Sequence, residues 1–199
     1  GSLEQVQAIV ATTLERFGRL DCAFNNAGWE GTGSATADTS ESDWQRMIDI
    51  KLNGVWRGVR EQIPAMLKGG GGSIVNMSAG GGGSFGLGRG SAIYCGTKGG
   101  VLAMTRDLAA EWSKHGVRVN CVAPGWIKTE MNAPLLNDET AVQRVVDRVP
   151  LARWGEPEDV VGPVLFLGSD AARYVTGHMI PIDGGASAIV KLTDDEVIQ

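Results

Sequence analysis

Residues 73–78 read SIVNMS, a short and mostly apolar run that lies between two long amphipathic segments. Before it, residues 44–67 repeat apolar side chains at the helical period, and after it residues 94–112 do the same. A run of this length is too short for a helix and too apolar for an exposed loop. It therefore predicts a buried strand between two helices.

The same alternation continues in both directions along the chain. Ser2 can cap a first helix and Gly18 can end it. Strands that are apolar along nearly their whole length, alternating with helices, predict an α/β fold: one domain over residues 1–199, built on a doubly wound parallel sheet. Further strands are predicted at residues 20–25, 117–122 and 178–183, and further helices at residues 3–17 and 157–168.

Composition excludes several classes of protein. The net charge of −5 and the lack of a basic run argue against nucleic-acid binding. No apolar stretch approaches the roughly 18 residues of a membrane span, and no signal-peptide pattern opens the chain, so we expect a cytoplasmic protein without a membrane partner. The odd number of cysteines (Cys22, Cys95 and Cys121) predicts buried thiols, and two histidines make a metal site unlikely to form.

The chain is rich in glycine, with 29 in all and eleven of them between Gly69 and Gly90. This stretch predicts a loop around the strand at residues 73–78. Residues 81–86 match the G-x-G-x-x-G pattern of a phosphate-binding turn, but they neither follow a strand directly nor open a helix, so we reject that interpretation.

The same glycine-rich stretch also contains a G-x-S-x-G match around Ser84. With Asp170 and His178 it gives the residue order of a serine hydrolase. That class requires a sharp strand–serine–helix turn, whereas further glycines follow Ser84 closely and His178 begins a strand. A hydrolase is therefore the remote alternative.

Polar or glycine-rich turns follow three of the predicted strands. They are Asn25-Asn26-Ala27-Gly28, Ser78 with the glycines after it, and Pro124-Gly125. In open parallel sheets, ligands bind at the carboxyl ends of the strands. These turns are therefore the candidate binding edge.

Tyr94 and Lys98 stand four residues apart at the start of a predicted helix and so share one face. A free phenol, with a pKa near 10, is a poor proton shuttle at neutral pH, and a neighbouring ammonium favours its ionised form. The pair therefore indicates acid–base chemistry, while exposed polar residues on a helix remain the structural alternative.

Taken together, the motifs resemble the short-chain dehydrogenase/reductase family over residues 3–186. They are Asn-Asn-Ala-Gly after a strand, Asn53 in the long helix, Tyr94 with Lys98, residues 120–125 (NCVAPG) with Thr129, and residues 182–185 (IDGG), in one order. The resemblance implies a Rossmann-like fold and an NAD- or NADP-dependent oxidoreductase. It also implies a small ketone or alcohol substrate and a homodimer or homotetramer.

The resemblance further implies roles for individual residues. Tyr94 would be the general acid and base, Lys98 would assist it and bind the nicotinamide ribose, and Asn53 would hold a relay water. The implied cofactor-binding residues are Asn25, Ala27, Gly28, Tyr94, Lys98, Pro124, Gly125, Ile127 and Thr129.

The serine that binds the substrate carbonyl in this family has no clear counterpart. Ala79 stands at the position expected from the strand, and Ser78 lies one residue early. We take Ser78 as the candidate. The alternative is a serine that only caps the end of its strand.

The family's phosphate-binding glycine turn and its cofactor-selecting residue lie upstream of the motifs found here. The expected fold therefore lacks roughly its first three strands, and one sheet face is partly bare. A catalytically impaired, binding or assembly protein is thus a second hypothesis. Trp29 and Trp126 are candidate pocket residues, residues 131–149 a candidate substrate lid, and residues 187–199 an acidic tail.

Overall fold

The computed structural model describes residues 2–29, 31, 34–84, 86–87 and 90–188. Its centre is a parallel sheet of four strands in the order β1-β2-β3-β4. The strands are β1 (Cys22–Asn25), β2 (Gly72–Met77), β3 (Val117–Pro124) and β4 (Met179–Ile182). The predicted parallel α/β sheet is confirmed. The predicted acidic tail lies outside the described residues from position 189 onward.

Eight α-helices are described around this sheet. They are α1 (Leu3–Phe17), α2 (Glu41–Ile48), α3 (Gly54–Lys68), α4 (Gly80–Gly83), α5 (Ala92–Trp112), α6 (Ala133–Leu136), α7 (Glu139–Val146) and α8 (Pro157–Gly168). The first helix has the predicted ends: Ser2 forms a capping box with Gln5, and Gly18 adopts a left-handed conformation with φ of 74°.

Two predicted elements differ from the structure. The helix predicted over residues 44–67 begins earlier, at Glu41, and a π-helical turn, Asp49–Asn53, separates α2 from α3. The glycine-rich stretch predicted as loop contains the one-turn helix α4. Packing explains α4, because a side chain at Gly81 would collide with Leu87 and one at Gly83 would press on Met179. Close tertiary packing thus selects glycine there despite its low helix propensity.

The two faces of the sheet are covered differently. Helices α1, α3 and α5 pack on one face around Met66, Ile74 and Val119. Of these, α3 and α5 belong to the connections between the first three strands and share a face as expected, whereas α1 precedes β1. Helix α8 packs on the other face through Leu167, against Val75 and other residues. Since the strand order never reverses, the connection from β3 to β4 has the opposite hand to the two before it.

Strand β1 remains partly bare on the α8 face, as the sequence predicts. Phe24 of β1 is 40% exposed, and Leu165 of α8 is 66% exposed. Cys22 is also exposed, which corrects the expectation of three buried thiols; Cys121 is buried and Cys95 is half-buried. Cys22 is exposed because β1 is the edge strand of the described sheet. The apolar residues next to Cys22 in the sequence do not reveal that position.

Candidate active site

Tyr94 and Lys98 lie at the amino end of α5, beside the carboxyl end of β2. Lys98 is only 4% exposed, and its Nζ donates a hydrogen bond of 2.6 Å to the carbonyl oxygen of Met77. The same Nζ lies 6.0 Å from the centre of the Tyr94 ring. Burial, reinforced by the charge of Lys51, lowers the pKa of Lys98 to about 7. The structure therefore brings the predicted phenol and ammonium together.

A second lysine, which the sequence analysis does not single out, meets the same ring. Lys51 is 3% exposed, and its Nζ lies 4.4 Å from the centre of the Tyr94 ring. The sequence carries a signal for it: Lys51 stands three residues after Ile48 and four before Val55, on the apolar stripe of the long helix. A lysine on a buried face is rarely placed there without a partner or a function.

Asn53 belongs to the same π-helical turn, yet its described contact lies elsewhere. Its Nδ2 donates a hydrogen bond of 3.0 Å to Oδ1 of Asp49, which also accepts one of 2.8 Å from Arg57. These two bonds lower the pKa of Asp49. The described hydrogen bond of Asn53 thus goes to Asp49, and its role in holding a relay water stays a prediction; Lys51 of the same turn meets the Tyr94 ring.

Ser78 is almost completely buried, at 1% exposure, directly after β2. Its Oγ donates a hydrogen bond of 3.0 Å to the carbonyl oxygen of Lys98. A hydroxyl has one proton to donate, so this bond ties α5 to the sheet and leaves no donor for a substrate oxygen. The geometry favours the structural alternative for Ser78, and the neighbouring position carries Ala79, which has no hydroxyl.

The turn after β1 is anchored by the side chain of Asn25. Its Nδ2 donates to Oδ1 of Asn76 (2.9 Å) and Oε1 of Gln62 (3.1 Å), and its Oδ1 accepts from Nε2 of Gln62 (2.8 Å). Asn25 therefore anchors the start of the turn to α3 and β2. The following residues, Ala27 and Gly28, are exposed. A side chain at Gly28 would come within 3.3 Å of Lys51 Nζ, so this turn borders Lys51.

The turn after β3 forms the third part of this edge. The backbone N–H of Gly125 donates to the carbonyl oxygen of Ile182, and a side chain at Gly125 would collide with Asp183. Ile127 is buried and forms a bridge with Gly155, whereas Thr129 is exposed. Pro124, Gly125 and Thr129 therefore border the open edge, and the Ile127 side chain packs inward.

The two candidate pocket tryptophans have described structural contacts. The Arg46 guanidinium stacks 4.4 Å from the centre of the Trp29 ring. Trp126 packs on the cluster around Val145, Val149 and Trp154, within and beside the candidate lid. The lid segment itself contains a 3-10 turn, α6 and α7. Substrate contact by either tryptophan remains a prediction.

The alternative site types receive no support from the described residues. No described hydrogen bond joins Ser84, Asp170 and His178; instead the His178 N–H donates to Oδ1 of Asn120. No group of three metal-ligating side chains comes together within the described ranges. Likewise, none of the helices described is both long and apolar enough to span a membrane.

Comparison with known proteins agrees with this arrangement. A family model described as enoyl-(acyl carrier protein) reductase matches residues 1–187. The chain belongs to the short-chain dehydrogenase/reductase family. A 3-oxoacyl-[acyl-carrier-protein] reductase of Thermotoga maritima is 39% identical over 184 residues, which are 92% of this chain and 72% of that protein. Levodione reductase of Leifsonia aquatica is 38% identical over 190 residues, covering 92% and 70%.

Solved structures of this family share the fold closely. A gluconate 5-dehydrogenase from Burkholderia cenocepacia, in complex with NADP and tartrate, is 30% identical with a TM-score of 0.88. The match covers 95% of this chain and 73% of that one. The structure of a levodione reductase is 37% identical with a TM-score of 0.89, covering 95% and 75%. The relatives are oxidoreductases, so the short-chain dehydrogenase/reductase chain described here is an enzyme of that type.

Proposed function

We propose that this short-chain dehydrogenase/reductase transfers hydride between NAD or NADP and the carbonyl or secondary alcohol carbon of a small molecule. The observation that carries the proposal is the position of Tyr94: the Nζ atoms of two buried lysines, Lys51 and Lys98, lie 4.4 and 6.0 Å from the centre of its ring. Such an environment suits a phenol that gives up and regains a proton.

The proton transfer takes place at the phenol oxygen of Tyr94. The reduced nicotinamide, when bound, supplies the hydride to the carbonyl carbon. Tyr94 donates its proton to the carbonyl oxygen, which becomes the alcohol, and the resulting phenolate is stabilised by the nearby cations. In the oxidative direction the phenolate accepts the alcohol proton.

The residues of the site fit the nicotinamide and ribose part of such a cofactor. The Lys98 ammonium has three donors, of which Met77 takes one, so it can also bind ribose hydroxyls. Ala27 and Gly28 present exposed backbone on one side, and Thr129 is exposed on the other. The three strand ends lie side by side in the register of the sheet, which places these turns along one edge.

Substrate binding would use residues beyond Tyr94. Because Ser78 is committed to Lys98 and Ala79 has no hydroxyl, the substrate oxygen receives one fewer donor here than the family pattern provides. A cavity of about 280 Å³ lies beside the amino end of α5, next to Tyr94 in the chain. Its lining is Thr36, Thr39, Glu41, Trp44, Gly90 and Ile93, which mixes apolar and polar side chains.

We further propose a homodimer or homotetramer. Trp44 of α2 and Trp56 of α3 are 47% and 49% exposed, and large aromatic side chains are enriched at protein interfaces. Size-exclusion chromatography with light scattering measures the mass directly. A monomer at all concentrations would contradict this part of the proposal.

The test of the proposed activity combines binding and turnover. Reduced-nicotinamide fluorescence should show saturable binding of NADH or NADPH, and added ketones should then oxidise the bound cofactor. Tyr94→Phe should keep the binding but lower turnover by about 100-fold or more, because the proton donor is lost. Tyr174→Phe is the matched control, since Tyr174, the second tyrosine of the chain, is 100% exposed.

Three outcomes are informative. Turnover that disappears in Tyr94→Phe but not in Tyr174→Phe supports the proposal. Binding without turnover of any ketone favours the catalytically impaired, binding or assembly protein. No binding up to about millimolar cofactor, a concentration at the weak end of specific ligand affinities, contradicts the proposal for this chain.

A further inference from the structure

Lys51 is a cation buried at a place where packing alone gives no reason for it. Removing an ammonium from water is costly unless the protein supplies a favourable partner. Lys51 nevertheless occupies a π-helical turn with 3% exposure, and π-helical turns within α-helices are frequent at functional sites. Its Nζ is closer to the Tyr94 ring centre, at 4.4 Å, than that of Lys98, at 6.0 Å.

The groups around this cation come from several elements. Tyr94 and Lys98 face it from α5, and the backbone of Gly28 approaches it from the turn after β1. Cys121 of β3 lies near Lys98. Burial raises the pKa of the Cys121 thiol to about 11, so this thiol is neutral near neutral pH. Neutral Cys121 therefore does not offset the two positive charges.

We propose that Lys51 is a positioning residue of this site, whose ammonium, held on the π-helical turn, stabilises the ionised form of Tyr94 together with Lys98. The inference rests on the proposed function, because only proton transfer by Tyr94 gives the ionised phenol a role. It goes beyond that function by assigning part of the charge stabilisation to the π-helical turn rather than to α5 alone.

The state of Lys98 explains why a second cation matters. Burial and the neighbouring charge lower the pKa of Lys98 to about 7, so near neutral pH a large fraction of Lys98 is uncharged. An uncharged amine gives the phenolate little electrostatic support. Lys51 is the nearer of the two to the ring centre, so its charge adds to the weakened support from Lys98.

The sign of the effect follows from this arrangement. Removing the charge of Lys51 takes a cation away from Tyr94, which raises the pH at which the phenol ionises. It also takes a like charge away from Lys98, which raises the pH at which Lys98 loses its proton. In a Lys51→Met protein, Lys98 should therefore stay protonated to higher pH and offset part of the lost charge, but because Lys98 lies farther from the ring the ionisation of Tyr94 should still move to higher pH.

The chain allows this to be measured without cofactor or substrate. It has two tyrosines, so in a Tyr174→Phe background the tyrosinate absorbance band reports on Tyr94 alone. We expect Tyr94 to ionise clearly below the ordinary tyrosine value of about 10. In Lys51→Met its midpoint should rise by about one pH unit or more, while Lys51→Arg should keep it near the starting position.

Lys114→Met is the matched control, because Lys114 is exposed in the turn after the far end of α5. It should leave the midpoint unchanged. Far-ultraviolet circular dichroism shows whether each variant is folded, and Lys51→Gln replaces Lys51→Met if the latter is not.

Two results would overturn the inference. One is a Tyr94 midpoint that is the same with and without the Lys51 charge in folded proteins. The other needs no change at Lys51: Tyr94 ionising at or above about 10 in the Tyr174→Phe protein. Failure of cofactor binding, by contrast, would contradict the proposed function and leave this titration unaffected, so the two failures are distinguishable.

Discussion

Gly58 in the middle of α3 offers a sharp test of how the candidate cofactor turn is held. A Cβ at this position would lie 2.7 Å from Oδ1 of Asn25 and 3.3 Å from Nε2 of Gln62. The Asn25 amide cannot simply turn away, because three hydrogen bonds join it to Gln62 and Asn76. We therefore predict that Gly58→Ala destabilises the protein.

The magnitude follows from two opposing terms. Alanine in place of a helical glycine stabilises a helix by about 1 kcal/mol. Displacing Asn25 costs about 0.5–1.5 kcal/mol for each of its three hydrogen bonds, or about 1.5–4.5 kcal/mol in total. The net prediction is a loss of about 0.5–3.5 kcal/mol in the free energy of unfolding.

Urea unfolding followed by circular dichroism measures this difference. Gly96→Ala is the matched control: Gly96 is also helical, in α5, and nothing lies within 4 Å of an added Cβ. The control should be neutral or more stable than the starting protein. If Gly58→Ala were as stable as Gly96→Ala, the Asn25 network would not constrain the turn and the reasoning would be refuted.

Three further predictions concern Lys98, Asn120 and Ala79. The pKa of Lys98 in the folded protein is lowered to about 7, so above that pH the unfolded chain binds one proton more than the folded protein. The free energy of unfolding should therefore rise with pH above 7. Urea unfolding of Lys98→Met should show no such rise. Asn120→Ala should lower the free energy of unfolding by about 2–4 kcal/mol in the same assay, because buried Asn120 donates to the Val175 carbonyl and accepts from the His178 N–H. An unchanged unfolding midpoint would contradict this. Ala79→Ser should raise kcat about 100-fold without changing cofactor affinity, because it restores one hydrogen-bond donor to the substrate oxygen. An unchanged kcat would contradict the view that the site lacks this donor.

The sequence predicts the fold well where local signals and tertiary packing agree. The first helix is one example, since Ser2 and Gly18 mark its two ends independently of the rest of the protein. The short helix at Gly80–Gly83 is the opposite case, because glycine is a poor helix former and only its close contacts with other elements explain it. Such contacts are not visible in a linear pattern.

The site divides in the same way. The spacing of Tyr94 and Lys98 is a property of one helix, so the sequence predicts that they share a face. The side chain of Ser78 depends on the exact end of β2, and that of Lys51 on a π-helical turn that shifts the helical register by one residue. The family resemblance draws attention to Asn53, and the structure adds Lys51, which it brings to the ring.

The charges around Tyr94 indicate which protonation state of its phenol the site favours. Lys51 and Lys98 belong to different elements, and burial, reinforced by the charge of Lys51, lowers the pKa of Lys98. A negative charge formed on Tyr94, close to both lysines, favours their charged forms. The phenolate of Tyr94 is such a charge, and in carbonyl reduction it forms when the proton leaves for the substrate. The site therefore binds the ionised tyrosine better than the neutral one, which is the preference for the reacting state that catalysis requires.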